Sequence, residues 1–171
     1  GYGTGGKKDF GAATISSSQK AVWNKVFCVS KNEIKLFIEW FLCSQDPACD
    51  TSISYPGYKI PNSILDWPAH GDISLNQDYY LAPFVDIDSD GIYNPLSGDH
   101  PCIKGDQYCW YIINDKGNSM YSRMGIEMQV EVYSFDKDSA NPLTNTIFVG
   151  RDIINRSTDT FIDFTIGQFT D

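Results

Sequence analysis

Ile126-Glu127-Met128-Gln129-Val130-Glu131-Val132 alternates apolar and polar side chains without a break. A strand turns successive side chains to opposite faces, so this period of two predicts a β-strand with one buried and one wet face. On this reading Ile126, Met128, Val130 and Val132 line a core, and Glu127, Gln129 and Glu131 face water. Two more strands are expected after it, Thr146–Ile154 and Phe161–Phe169, separated by the polar turn Asn155–Thr160. Before it, Tyr108–Ile113 (YCWYII) reads as a strand leading into a turn at Asn114–Asn118, centred on Asp115-Lys116-Gly117. Ala21–Val29 reads as a short strand with Trp23, Phe27 and Val29 on one side.

One helix interrupts this pattern. Ser30 and Glu33 have the spacing of a capping box, in which each side chain satisfies an orphan amide at the helix start. Ile34, Phe37, Ile38, Phe41 and Leu42 then recur at helical spacing and form one apolar face, read as core packing. From Cys43 to Tyr80 the chain is punctuated by Pro47, Pro56, Pro61 and Pro68 and reads as a long irregular region, anchored by Tyr55, Tyr58 and Trp67. The expected fold is mainly β: an antiparallel β-sandwich or jelly-roll-like sheet pair with one N-terminal amphipathic helix. Residues 1–20, rich in Gly, Ser and Thr, read as a leader or edge segment, and 21–171 as a single calcium-stabilised domain.

Composition narrows the function. Of 171 residues, 42% are hydrophobic and 14% aromatic, which excludes a disordered chain. A net charge of −9 argues against a nucleic-acid partner, which requires clustered Lys and Arg. No run reaches the ~18–20 apolar residues of a membrane span. Gly1–Lys8 lacks the apolar stretch of a signal peptide, and Gln168–Asp171 follows directly on a strand-like run. The expectation is therefore a processed chain or a piece of a longer polypeptide.

Five cysteines include two close pairs, Cys43/Cys49 and Cys102/Cys109, and neither has the spacing of a zinc or redox site. Both pairs are expected as disulfides, with Cys28 a buried thiol; the competing reading is five reduced core cysteines.

The most informative segment chemically is Asp86-Ile87-Asp88-Ser89-Asp90-Gly91-Ile92-Tyr93-Asn94. Carboxylates at alternate positions of a tight loop converge on one point, and a hard divalent cation with oxygen ligands suits such a site. Gly91 permits the sharp turn that brings the Ile92 carbonyl inward. The expected ligands of Ca2+ are Asp86, Asp88, Asp90, the Ile92 carbonyl, Asn94 and Asp99. Position twelve of the loop is Ser97 rather than the bidentate Glu of an EF-hand, and no helix is expected to follow. This reads as a structural calcium loop detached from the helix–loop–helix switch, as in dockerin- or thrombospondin-like repeats. A solvated acidic turn is the alternative.

Catalytic candidates are few. His70 and Asp72 in Trp67-Pro68-Ala69-His70-Gly71-Asp72 could form a base and its orienting group, but no nucleophile lies nearby, and a turn histidine bonded to backbone is the preferred reading. Glu127, Glu131 and Asp136 could pair for glycoside hydrolysis, although a solvated sheet face explains them more simply. No enzyme is expected.

Several phrases occur together in order: Trp67–Asp72, Leu81-Ala82-Pro83-Phe84-Val85-Asp86, Tyr93-Asn94-Pro95, Gly98-Asp99, Lys104-Gly105-Asp106-Gln107, Asn114-Asp115, Gly125–Gln129 and Ile154-Asn155-Arg156-Ser157. Over residues 22–171 the chain resembles a segment of large secreted Bacteroidetes proteins that carry a C-terminal type IX secretion sorting domain. The resemblance implies export and a place at the cell surface or in the medium, and it implies no reaction. Asp138-Ser139-Ala140 is similar to the O-glycosylation site of such bacteria, with Ser139 as acceptor. The expected function is a non-enzymatic extracellular calcium-binding surface or adhesion module, with an extracellular protein or glycan partner, within a surface assembly. The alternative is a carbohydrate-binding module attached to a secreted enzyme, suggested by 10 Tyr and 4 Trp.

Overall fold

The computed structural model describes residues 20–75, 77–115, 124–138 and 141–167. In chain order the elements are α1 (Lys20–Trp23), β1 (Phe27–Ser30), α2 (Lys31–Gln45), α3 (Thr51–Ser54), α4 (Asn62–Leu65), β2 (Phe84–Val85), β3 (His100–Pro101), β4 (Gln107–Asn114), β5 (Ile126–Ser134) and β6 (Ile147–Asn155). Strands β1-β4-β5-β6 form one antiparallel sheet, and β2 and β3 pair as a second, two-stranded one. The mainly β, antiparallel class expected from the alternation is what the chain adopts. Among the described residues, helix and irregular chain, rather than a second large sheet, share the core with the four strands.

Helix α2 begins where the capping box places it. Ser30 is extended at φ −101° and ψ 153°, its hydroxyl accepts from the Glu33 amide, and Glu33 accepts from the Ser30 amide at 2.8 Å. Ile34 and Phe37 are buried, and Ile38 and Phe41 pack at the edge of the core. Leu42, expected on the same face, is 62% exposed instead. The neighbouring Cys43 is the residue turned inward at the helix end, where its disulfide to Cys49 folds the chain back. Three short helical turns break up the irregular stretch that follows, α3, α4 and Ile73–Leu75, and Trp67 is buried beneath it with its indole donating to the Pro83 carbonyl.

The core lies on one face of the large sheet. Phe27 and Val29 of β1 and Tyr108, Trp110 and Ile112 of β4 pack there with α2, α4 and the Trp67–Ala82 stretch. Trp23, Phe27 and Val29 are all buried as expected, but the strand starts only at Phe27, after the turn of helix α1.

Strand β5 departs from the expected faces. Its register places Tyr133, Glu131, Gln129 and Glu127 opposite Tyr108, Trp110, Ile112 and Asn114, so the polar row shares the core side. Glu127 is 0% exposed, whereas Met128 and Val132 are only half-buried on the other face. Val130 is buried as expected. The large side chains of β4 decide which face carries the core, and β5 must accept the register that pairs with them. The expected strand Phe161–Phe169 is also corrected: residues 161–167 form bends and irregular chain, and Gln168 and Phe169 lie outside the described residues. The carboxylate of Asp115 closes the β4–β5 connection by accepting the amides of Met124, Gly125 and Ile126.

Phe37 is 0% exposed and Leu42 is 62% exposed on the same helix. Phe37→Ala should cost about 3–5 kcal/mol in denaturant unfolding and Leu42→Ala less than about 0.5 kcal/mol. Equal costs would contradict this placement of the helix.

Candidate metal centre and its supports

The acid loop connects β2 to β3, and its geometry starts from one carboxylate. Asp99 is 0% exposed, and its two oxygens accept the amides of Ile87 and Asn94, each at 2.8 Å. One side chain thereby ties the entry of the loop to its exit. Asp86 accepts the amides of Ser89 at 2.7 Å and Gly91 at 2.8 Å. These bonds wind the backbone tightly, with Ser89 at φ 61° and Gly91 at φ 78°. A side chain at Gly91 would be strained by that φ and would meet the Tyr80 hydroxyl at 3.0 Å.

The result brings together ligand atoms of Asp86, Asp88 and Asp99, all within 4.8 Å of one another. Each ionised carboxylate offers about four lone-pair sites, so those already accepting an amide keep capacity for a cation. The donor set is all oxygen, which fits a hard divalent ion. Asp90 and Asn94, also expected as ligands, lie outside this group of three carboxylates and make local bonds of their own. Asp90 accepts the Ile92 amide, and Asn94 accepts the Leu96 amide while donating to Ser97, which caps the short helical turn Pro95–Ser97.

Three contacts fix the loop to the rest of the protein. Gly98, at φ 99°, packs so closely on Phe41 of α2 that an added Cβ would lie 2.6 Å from the ring. The Tyr93 hydroxyl donates to the Ile64 carbonyl at 2.7 Å; burial and the nearby Asp99 charge push its pKa up, so it stays a donor. The Tyr93 amide donates to Nε2 of His70 at 2.8 Å. Because Nε2 accepts, the ring proton sits on Nδ1, which faces the Tyr79 carbonyl at 3.1 Å. Both nitrogens of His70 are thus occupied by backbone, as the turn-histidine reading expected. Asp72 accepts from Ser74 instead of orienting the ring.

Of the carboxylates considered for hydrolysis, Glu127 and Glu131 are committed to ion pairs rather than to solvent. Glu127 accepts from Arg156 at 2.7 Å, and Arg156 also grips Asp78 with two nitrogens. Burial works against the Arg156 charge, but the bonds to Asp78 and Glu127 outweigh it and keep the guanidinium protonated. Glu131 accepts from Lys104 and, at 2.9 Å, from the Tyr108 hydroxyl. Four residues, a backbone rise of about 14 Å, separate Glu127 from Glu131 along the strand, and each carboxylate is held by a different cation. The Asp78–Arg156–Glu127 network was not foreseen; the only hint was an arginine flanked by turn residues, Asn155-Arg156-Ser157.

Cys43 and Cys49 are joined, whereas Cys102 and Cys109 are not. Cys109 bonds Cys28, and Cys102 is free and exposed. The β1–β4 register places Cys28 directly opposite Cys109, with Cα atoms 4.0 Å apart, so proximity across the sheet overrides proximity in sequence. Cys28 is accordingly exposed at the surface and not a buried thiol. Ser139 lies outside the described residues. No helix among the described residues is long and apolar enough to cross a membrane.

Comparison with protein-family models, curated proteins and solved structures found no match for this chain.

Non-reducing peptide mapping should recover Cys28 linked to Cys109 and Cys43 linked to Cys49, with Cys102 alone alkylated before reduction. A Cys102–Cys109 peptide would refute the strand register. His70→Ala leaves the Tyr93 amide without its acceptor, and thermal and denaturant unfolding should show a loss of about 1–3 kcal/mol.

Proposed function

We propose that this chain is a non-enzymatic extracellular module in which Ca2+, held by Asp86, Asp88 and Asp99, stabilises the fold of a bacterial surface or adhesion protein. The convergence of three carboxylates within 4.8 Å carries this reading. Left alone, like charges at that spacing repel, and a divalent cation converts the repulsion into a cross-link between the two arms of the loop. Supplementary donors are the Ile92 carbonyl and the carboxylate of Asp90, which accepts the Ile92 amide through one oxygen and keeps lone pairs for the cation.

Location follows from independent features. Two disulfides suit an oxidising compartment. The ordered phrases from Trp67 to Ser157 resemble exported proteins of the type IX secretion system. The histidine that would have served as a base is occupied on both nitrogens, which favours binding over catalysis. The sandwich or jelly-roll form belongs to this reading as well, since Met128, Val132, Val149 and Ile153 make an apolar row on the side of the sheet away from the core, where a second sheet would pack.

Extracellular calcium modules bind at roughly 10⁻⁴–10⁻³ M. At a hundredfold excess over Kd, calcium stabilises by about 2.7 kcal/mol, a rise in melting temperature of about 5–10 °C for a chain of this size. Calorimetry in calcium and in EDTA should show that rise in the native protein and none in Asp88→Ala. Equal melting temperatures in both buffers would refute the metal reading.

A further inference from the structure

The polar row of β5 has no role in the metal centre, and core packing does not account for it. Only Glu127 of this row is fully buried, held by Arg156, whereas Gln129 and Glu131 are half-buried on the same side of the sheet and border open space. Between that row and the chain segments before β2 and after β3 lies a cavity of about 360 Å³, lined by Gln129, Glu131 and Asp152 on the sheet and by Leu81, Ile103 and Lys104 opposite. Its volume lies at the lower end of the ~300–1,000 Å³ range of small-ligand sites.

The site is built rather than incidental. Glu131 is pinned from two sides, by Lys104 and by the Tyr108 hydroxyl. It lies across Gly150 of β6, where an added Cβ would come 2.5 Å from its Oε1, so glycine at 150 makes room for the carboxylate. Asp152, opposite Gln129 in the register, is exposed; its carboxylate makes no hydrogen bond or ion pair among the described residues, and its charge acts on Lys104 and Tyr108 across the cavity. The wall therefore offers acceptor-only carboxylates, an amide that both donates and accepts, and an ammonium that only donates. Trp110, buried beneath, and Leu81 and Ile103 give the cavity an apolar side.

We propose that this cavity binds one neutral sugar unit of a glycan. Hydroxyls donate to Asp152 and Glu131 and accept from Lys104, while the C–H face of the ring lies on the apolar side. An anion would meet two carboxylates against a single lysine. A wholly apolar ligand would leave the Asp152 carboxylate without a partner. This inference does not depend on the metal loop, and its test is run in calcium throughout so that the two readings fail separately.

The probes are free glucose, galactose, mannose and N-acetylglucosamine, titrated into the ¹⁵N-labelled protein and followed by NMR. At least one should bind in the millimolar range and shift the resonances of Gln129, Glu131, Asp152 and the Trp110 indole. Asp152→Ala, with an unchanged melting temperature, should weaken that binding by about tenfold or more, and Lys104→Met, which also removes the partner of Glu131, should weaken it at least as much at a temperature where the variant is fully folded. Failure of all four sugars to shift these resonances would overturn the proposal. So would shifts that persist undiminished in both variants.

Discussion

Asp99 is a carboxylate at 0% exposure, and the way the acid loop meets α2, α4 and His70 depends on how that carboxylate is satisfied. Two backbone amides, from Ile87 and Asn94, take one oxygen each. A buried carboxylate with only these partners is costly, and a cation bound as proposed would supply the remaining compensation. Because the two amides lie on opposite arms of the loop, the bonds that solvate Asp99 also set the loop's shape. The shape then propagates: Gly98 meets Phe41 of α2, Tyr93 reaches Ile64 of α4, and the Tyr93 amide engages His70. Helix, irregular region and small sheet are joined at this loop.

The large sheet obeys a second constraint. Strand β4 places Tyr108, Trp110 and Ile112 on the side covered by α2 and the Trp67–Ala82 stretch. Strand β5 pairs with it along its whole length, so its glutamates enter the core side and need partners there. Arg156 and Asp78 satisfy one end of the row, and Lys104 and Tyr108 the other. Gln129 and Glu131, with Asp152 on β6, border the cavity on this side of the sheet.

Features that depend on neighbouring residues were legible in the sequence. Ser30 and Glu33 announced the start of α2, because a capping box is a local hydrogen-bond pattern. The turn of the acid loop at Gly91 was legible for the same reason, whereas Asp99, read as a ligand, also closes the loop through the Ile87 and Asn94 amides, which the sequence did not show. The Cys43–Cys49 bond likewise closes a short local loop. Features that depend on register were not legible. Alternation along β5 shows that two faces exist but not which one meets the core, and Glu127 was assigned to the wrong side. Cys109 had a partner seven residues away in sequence and a better one directly across the sheet. Asn94 fits the ligand pattern, yet its side chain caps Pro95–Ser97, a competition that the pattern does not express.

The most direct test of the account is amide hydrogen exchange at Ile87, Ser89, Gly91 and Asn94, the four amides held by Asp86 and Asp99. It should be measured on the whole chain in millimolar calcium and again in EDTA. If a cation locks the carboxylates that hold these amides, all four exchange much more slowly in calcium, while amides in the middle of β4 and β5 change far less. Identical exchange at the four sites in both buffers would contradict the account, because the loop would then keep its shape without a metal.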